Sequence, residues 1–211
     1  MRTAIGAKSG VVAVALILSA FGLPSAGRAA ADRFSFTGPG AEAFFFTVDG
    51  CVETSVGLHA SDSFRHDPPG PPTIFSSVFV SVGVFDACTL TTLRSGFAFA
   101  VLPPSAFQAN NRLTSASLNT TVNVPDFVSN RSFALSIDLT WVGTGEVQRV
   151  SDHVLEHFPT FMLNRRLTSM SRDAVATGSV SDGTRNLTPD PSVTASIDDV
   201  AGGGVSVGFK D

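Results

Sequence analysis

Apolar and polar residues alternate along most of this chain with a period of two. In residues 132–141, for example, every second residue from Phe133 to Trp141 is apolar, and the residues between them are small or polar. Since successive side chains of a strand point to opposite sides, this pattern predicts a half-buried antiparallel strand. No stretch of a dozen residues shows the apolar spacing of a helix, so we expect an all-β protein.

Similar alternation predicts strands along the rest of the chain, at residues 43–48, 51–58, 74–85, 97–101, 115–124, 148–157, 161–171, 174–180, 192–197 and 205–209. Asp49-Gly50 and Asp182-Gly183 are turn signals, and the prolines at 103–104 and 189–191 interrupt strand pairing. Roughly ten short antiparallel strands at regular spacing predict a β-sandwich or jelly roll, with a closed barrel as the second choice. The strand at 74–85 is apolar on both faces, which favours a central position in the fold.

The first 31 residues have the layout of a secretory signal peptide. Arg2 and Lys8 precede an uncharged apolar run at 10–23, and the small residues Ala29 to Ala31 follow it. The apolar run of 14 residues is shorter than the roughly 20 needed to span a membrane. We therefore expect a cleaved signal peptide at 1–31, with an earlier cut after Ala26 as the alternative. A single β-sandwich domain at 32–211 should then be secreted or remain in a bacterial periplasm or cell envelope, with no stable membrane anchor.

The charge of the mature chain excludes two classes of partner. Cleavage removes Arg2, Lys8 and Arg28 from the 14 basic residues and leaves all 18 acidic ones, so the formal charge becomes −7. Nucleic acid and anionic lipid surfaces both require concentrated positive charge. We expect neither as a partner, and the sequence favours an unknown protein or surface ligand.

Cys51 and Cys88 are the only cysteines, an even count in a chain directed to an oxidising compartment. They are expected to form a disulfide. The rival interpretations are a metal site built on two thiols and a catalytic thiol. Neither cysteine has a Cys or His neighbour at ligand spacing, which disfavours both.

The four histidines are weak metal candidates. His59 and His66 flank a proline-rich loop predicted at 60–73, and His153 and His157 lie four residues apart on a predicted strand. Imidazoles and nearby carboxylates hold zinc in many hydrolases, so a secreted metal-dependent hydrolase is the alternative function. Residues four apart on a strand are about 13 Å apart at Cα, too far to share one ion, and no H-E-x-x-H motif is present. We expect no metal and no cofactor.

The aromatic composition is unusual, because the chain has 18 Phe, one Trp and no Tyr. Such a set favours core packing over stacking on sugars. In the run Phe44-Phe45-Phe46, alternation must send at least one ring to each side of a strand. We expect both sides to be covered; the alternative is an exposed apolar patch that awaits a partner.

No motif identifies a family or a catalytic residue; the G-x-S-x-G of many hydrolases, for instance, is absent. Asn119, Asn130 and Asn186 begin glycosylation sequons, which matter only in a host with that machinery. The sequence therefore favours a non-catalytic binding, adhesion or envelope-associated module over an enzyme.

Overall fold

The computed structural model describes residues 31–208, which form ten strands. The strands are β1 (Ala31–Asp49), β2 (Val52–His66), β3 (Thr73–Asp86), β4 (Thr91–Val101), β5 (Phe107–Ala109), β6 (Ser115–Asp126), β7 (Arg131–Gly143), β8 (Gln148–His157), β9 (Phe161–Ser181) and β10 (Thr194–Gly208). All paired strands are antiparallel, so the all-β prediction is confirmed. Within residues 31–208 no helix is long and apolar enough to cross a membrane. The predicted signal peptide at 1–31 lies outside the described residues except for Ala31.

The strands form one open sheet in the order β4-β3-β2-β1-β10-β9-β7-β6-β5, and β8 pairs with β9 beside this path. β9 connects two layers, because residues 161–173 pair with β10 whereas residues 174–181 pair with β7. The layers meet again where the backbone amide of Phe127, after β6, donates to the carbonyl of Ser95 on β4 at 2.8 Å. The sheet thus folds over on itself as a sandwich, as predicted, and its terminal strands β4 and β5 do not pair with each other, so it is not the closed barrel of the second choice.

The core lies between the two layers. Alternate residues of the predicted strand in β7 point into it, as the sequence pattern required. Trp141 is fully buried, and its indole Nε1 donates to the backbone carbonyl of Glu42 on β1 at 2.8 Å. This bond joins the two layers through the core. The other large and fully buried side chains include Phe45, Phe107, Leu113, Leu118, Leu135, Ile137, Leu139 and Ile197.

Several strands are longer than predicted. The segments at 161–171 and 174–180 form the single strand β9, and those at 192–197 and 205–209 fall on β10, described to Gly208. The predicted loop at 60–73 is confined to 67–72, because β2 continues to His66. In each case the strand continues because neighbouring strands supply backbone partners that the local pattern does not reveal.

The glycines of β10 show how a weak strand sequence is stabilised. A Cβ atom on Gly202 would lie 2.7 Å from Cζ of Phe36, and one on Gly204 would lie 2.9 Å from Cζ of Phe34. The two rings of β1 therefore occupy the space above these glycines. Aromatic residues across from glycine replace the packing that glycine cannot provide, so β10 runs through the glycine triplet without a break.

An ion pair fastens the terminal strand β4 to the other layer. Asp182 follows β9, its side chain is 2% exposed, and Oδ2 accepts from Nη1 of Arg94 on β4 at 2.5 Å. The Arg94 guanidinium lies 4.4 Å from the ring centroid of Phe133. Burial alone would raise the pKa of Asp182. Hydrogen bonds from the hydroxyl and amide of Thr184, from the amide of Arg185 and from Arg94 outweigh burial and hold that pKa well below its usual range.

We expect Asp182→Asn to lower the free energy of unfolding by about 1 to 3 kcal/mol at neutral pH, because it weakens a buried charged hydrogen-bond network. The pKa of Asp182 is lower in the folded than in the unfolded chain. Its contribution to stability is therefore present above about pH 4 and is lost as the pH falls below that value. Denaturant unfolding from pH 7 to pH 2 should show a smaller acid-induced loss in the variant than in the wild type. Asp190→Asn changes an exposed carboxylate and is the matched control; equal pH profiles for the wild type and the Asp182 variant would contradict the prediction.

Candidate binding surface

The run Phe44-Phe45-Phe46 is not covered on both sides. Phe45 is 1% exposed and packs in the core, whereas Phe44 is 41% and Phe46 is 44% exposed on the outer side of β1. The expectation of coverage is therefore wrong, and the alternative of an exposed apolar patch holds. The physical reason is that the second layer covers only the inner side of β1 to β4.

The predicted central strand, β3, also has one open side. Its inward valines, Val78 to Val84, are buried, but Phe79 on the opposite side is 42% exposed. β3 lies next to the terminal strand β4 and not in the middle of the sheet. The expectation of a central position for this strand was thus wrong.

Strand register brings further phenylalanines to the same outer side. We call the seven exposed rings the aromatic face: Phe44, Phe46, Phe75, Phe79, Phe97, Phe99 and Phe127, which are 38% to 61% exposed. The ring centroids of Phe75 and Phe99 are 6.1 Å apart, those of Phe79 and Phe97 are also 6.1 Å apart, and Phe97 and Phe127 meet edge to face at 5.2 Å. These contacts join five of the seven rings into a pair and a group of three.

Small residues separate the aromatic face into two rows. Phe44 and Phe46 of β1 form one row, and the rings of β3 and β4 form the other. The strand surface between the rows carries Ser55, Gly57, Ser81 and Gly83, and we call it the furrow. Gly57 lies opposite both Phe44 and Ser81, and Ser81 lies opposite Phe97. The two residues between the rings of Phe44 and Phe97 therefore have short side chains or none. A groove of about 290 Å³ lies here between Phe44 and Phe79.

The furrow ends at a polar group formed by Glu42, His59 and Asp198. Glu42 is opposite His59 in the β1–β2 register and accepts a hydrogen bond from Ser196 Oγ at 3.1 Å. The carboxylate of Asp198 lies over Gly40, where a Cβ would approach Oδ1 to 2.6 Å. Burial raises the pKa of Asp198 and the carboxylates of Glu42 and Asp199 raise it further, while His59 opposes the rise. This end of the furrow carries ionisable side chains, whereas its middle has a floor of small residues between phenylalanine rings.

The structure places the four histidines on two strands, β2 and β8. His59 and His66 have opposite parity on β2 and so point to opposite sides of the sheet. His153 and His157 lie on β8, and Nε2 of His153 is 2.8 Å from Oδ1 of Asn164. Within residues 31–208, the grouped ligand-type side chains close enough to hold one ion are Cys51, Asp86 and Cys88, and none is a histidine.

Cys51 and Cys88 form the predicted disulfide, with Cα atoms 5.5 Å apart. It connects the β1–β2 turn to the β3–β4 turn, and both of its sulfurs are therefore engaged in the covalent bond. Asp86 accepts hydrogen bonds from the amides of Cys88 at 2.9 Å and Thr89 at 3.1 Å. Hydrogen bonds from Thr89 and Cys88 hold the pKa of Asp86 below its usual value. This group is therefore a disulfide next to a hydrogen-bonded turn.

The sequence contained a signal for the aromatic face that the pattern analysis did not use. Phe97 and Phe99 alternate with alanine, and Phe79 lies between the buried valines Val78 and Val80 of β3. Alternation assigns these rings to one side of the sheet but is silent on whether a second layer covers that side. No comparable signal exists for the meeting of Glu42, His59 and Asp198, which come from three strands.

Comparison with known proteins adds little to this geometry. No family model and no curated protein matches the sequence. Among solved structures, an acetoacetate decarboxylase-like enzyme from Sphingomonas wittichii RW1 is 9% identical, with a TM-score of 0.34 over 92% of this chain and 98% of that chain. At that TM-score the likeness carries no argument about the function of this chain.

Proposed function

We propose that this chain is an exported, non-catalytic binding module and that the aromatic face is its binding surface. The observation that carries this proposal is the exposure of six phenylalanine rings on the outer side of β1, β3 and β4, with Phe127 beside them. Because the phenylalanine side chain has no polar group, these rings form no hydrogen bonds with water through a donor or acceptor of their own. A partner that covers them removes apolar surface from water, which the hydrophobic effect favours.

The size of the aromatic face supports a binding role. With roughly 200 Å² for a whole phenylalanine side chain, the exposed fractions of the seven rings correspond to about 650 Å² of apolar surface. The largest apolar patch on a typical monomer is about 300 to 600 Å² and is often functional. The exposed rings together therefore match the largest apolar patches of typical monomers, which are often functional.

Export is supported by two independent features. The sequence begins with the layout of a signal peptide, and the two cysteines are joined in a disulfide. Disulfides persist in oxidising compartments such as the periplasm and the cell exterior. We infer that the module works in the periplasm, in the cell envelope or outside the cell.

The alternative of a metal-dependent hydrolase receives less support from the geometry. Its four candidate histidines lie on two strands, β2 and β8, and the two on β2 point to opposite sides of the sheet. A catalytic zinc requires three protein ligands around one point.

Photo-crosslinking in the exporting cell tests the binding role. We expect a photoreactive benzoylphenylalanine at Phe79 to form a discrete crosslinked product, because a partner covers this ring. Val142 is 55% exposed on β7, on the outer side of the other layer, and is the matched control position. The measurement is the mass of the products on denaturing gels and by mass spectrometry. Absence of any product at Phe79, or the same products at Val142, would refute the proposed binding surface.

A further inference from the structure

We propose that the partner on the aromatic face is a second copy of this chain, packed face to face across a twofold axis parallel to β1. This inference rests on the proposed binding role of that face and specifies its occupant. Three features of the face point to a second copy: its area, the arrangement of its rows, and the position of its charges.

The area matches what a stable dimer needs. The seven rings expose about 650 Å² by the estimate above, and Val48, Leu93 and Val101 at the margin are 59%, 47% and 65% exposed. Together they approach the roughly 800 Å² per partner that a standard specific interface buries. A small ligand in the furrow would leave most of these rings in water.

The rows are complementary to themselves. The ring row of β1 lies beside the furrow, whose floor belongs to β2 and β3. A twofold axis that lies between the two copies and parallel to β1 exchanges left and right across the face. It therefore places Phe44 and Phe46 of one copy over the furrow of the other, and the reverse. Two strands at the usual spacing of about 4.8 Å make the furrow roughly 10 Å wide, enough for one row of rings.

The same axis places opposite charges together. Rotation about this axis does not change the position of a residue along the strand direction. Each residue of the β1 row in one copy therefore faces those furrow residues of the other copy that are its cross-strand neighbours within one chain. Glu42 of one copy then faces His59 of the other, since these two residues are cross-strand neighbours within one chain. The floor of the furrow carries Ser and Gly, between Glu42 at one end and Glu53, which lies opposite Val48, at the other. A contact of this kind is isologous, the form found in most dimers.

Sedimentation equilibrium of the protein purified after export tests the proposal. We expect a reversible monomer–dimer equilibrium. Ser81→Leu should weaken the dimer about tenfold or more, because leucine fills the furrow that must admit Phe44 and Phe46. Phe44→Ser should weaken it similarly because it removes the inserted ring. Val142→Ser, which changes an exposed valine on the other layer, should leave the dissociation constant unchanged.

Ser81→Leu distinguishes specific packing from nonspecific hydrophobic association. It makes the face more apolar, which would strengthen nonspecific association, but it fills the furrow, which would weaken the specific dimer. If Ser81→Leu strengthens the dimer or leaves its dissociation constant unchanged, the proposed insertion of Phe44 and Phe46 into the furrow is wrong. Near-ultraviolet circular dichroism of Trp141 shows whether each variant folds, and Phe44→Ser provides the test if Ser81→Leu does not. A monomeric wild type at every concentration overturns the dimer. In that case a Phe79 crosslink to a different molecule preserves the proposed binding role, whereas no crosslink at Phe79 overturns both.

Discussion

Replacement of Trp141 by alanine is expected to lower the free energy of unfolding by about 3 to 5 kcal/mol. Trp141 is fully buried between the layers, so its removal leaves a large cavity that the surrounding strands fill only in part. It also deprives the Glu42 carbonyl of its hydrogen bond from the indole. Since single domains are typically stable by about 5 to 15 kcal/mol, this loss is a large share of the total. Denaturant unfolding followed by far-ultraviolet circular dichroism measures the loss without relying on tryptophan fluorescence.

Two further variants divide the effect of Trp141 into its parts. Trp141→Phe keeps much of the ring volume but removes the Nε1–H donor, and we expect it to cost less than the alanine variant. Val142→Ala changes the adjacent but exposed residue and should alter stability by no more than about 0.5 kcal/mol. A loss below about 1 kcal/mol for Trp141→Ala would show that this side chain is not the packed centre of the sandwich.

Loss of the disulfide is expected to lower the free energy of unfolding by about 3 to 4 kcal/mol in the chain-entropy model. The bridge joins residues 37 positions apart, so its removal returns a long loop of conformational freedom to the unfolded chain. The double variant Cys51→Ser, Cys88→Ser should unfold at a lower denaturant concentration than the oxidised wild type.

A reductant provides the control for the disulfide. It should lower the unfolding midpoint of the wild type toward that of the double variant and leave the double variant unchanged. Alkylation of the unfolded, unreduced protein should modify neither cysteine. Two alkylated thiols in the exported protein, or a wild-type midpoint insensitive to reductant, would count against a stabilising bridge.

The strands that were easiest to predict are those with one solvent-exposed side and one buried side. The predicted segments at 115–124 and 132–141 correspond closely to β6 and β7, and the one at 148–157 coincides with β8, which is exposed along most of its length. The prediction failed at β9 and β10, where glycines and polar residues interrupt the pattern. There the strand depends on partners from distant parts of the chain, such as the rings of Phe34 and Phe36 over Gly202 and Gly204.

The candidate site was accessible to sequence reasoning only in part. The disulfide follows from an even cysteine count and an export signal, and both are local properties of the chain. The side to which Phe44 and Phe46 point follows from alternation with Phe45. Their exposure does not, because it depends on where the second layer lies. The histidines were only weak metal candidates in the sequence, and opposite strand parity places His59 and His66 on opposite sides of the sheet.

By itself the sequence predicted that this chain forms antiparallel strands and that its two cysteines pair. These properties depend on residue type and on spacing of a few positions, which sequence displays directly. The tertiary structure decided which apolar side of each strand is covered and which residues from separate strands meet. Coverage is a relation between layers, and the second layer closes over Phe45 and the inward valines of β3 while it leaves the aromatic face open. The binding surface therefore exists only in the folded sandwich.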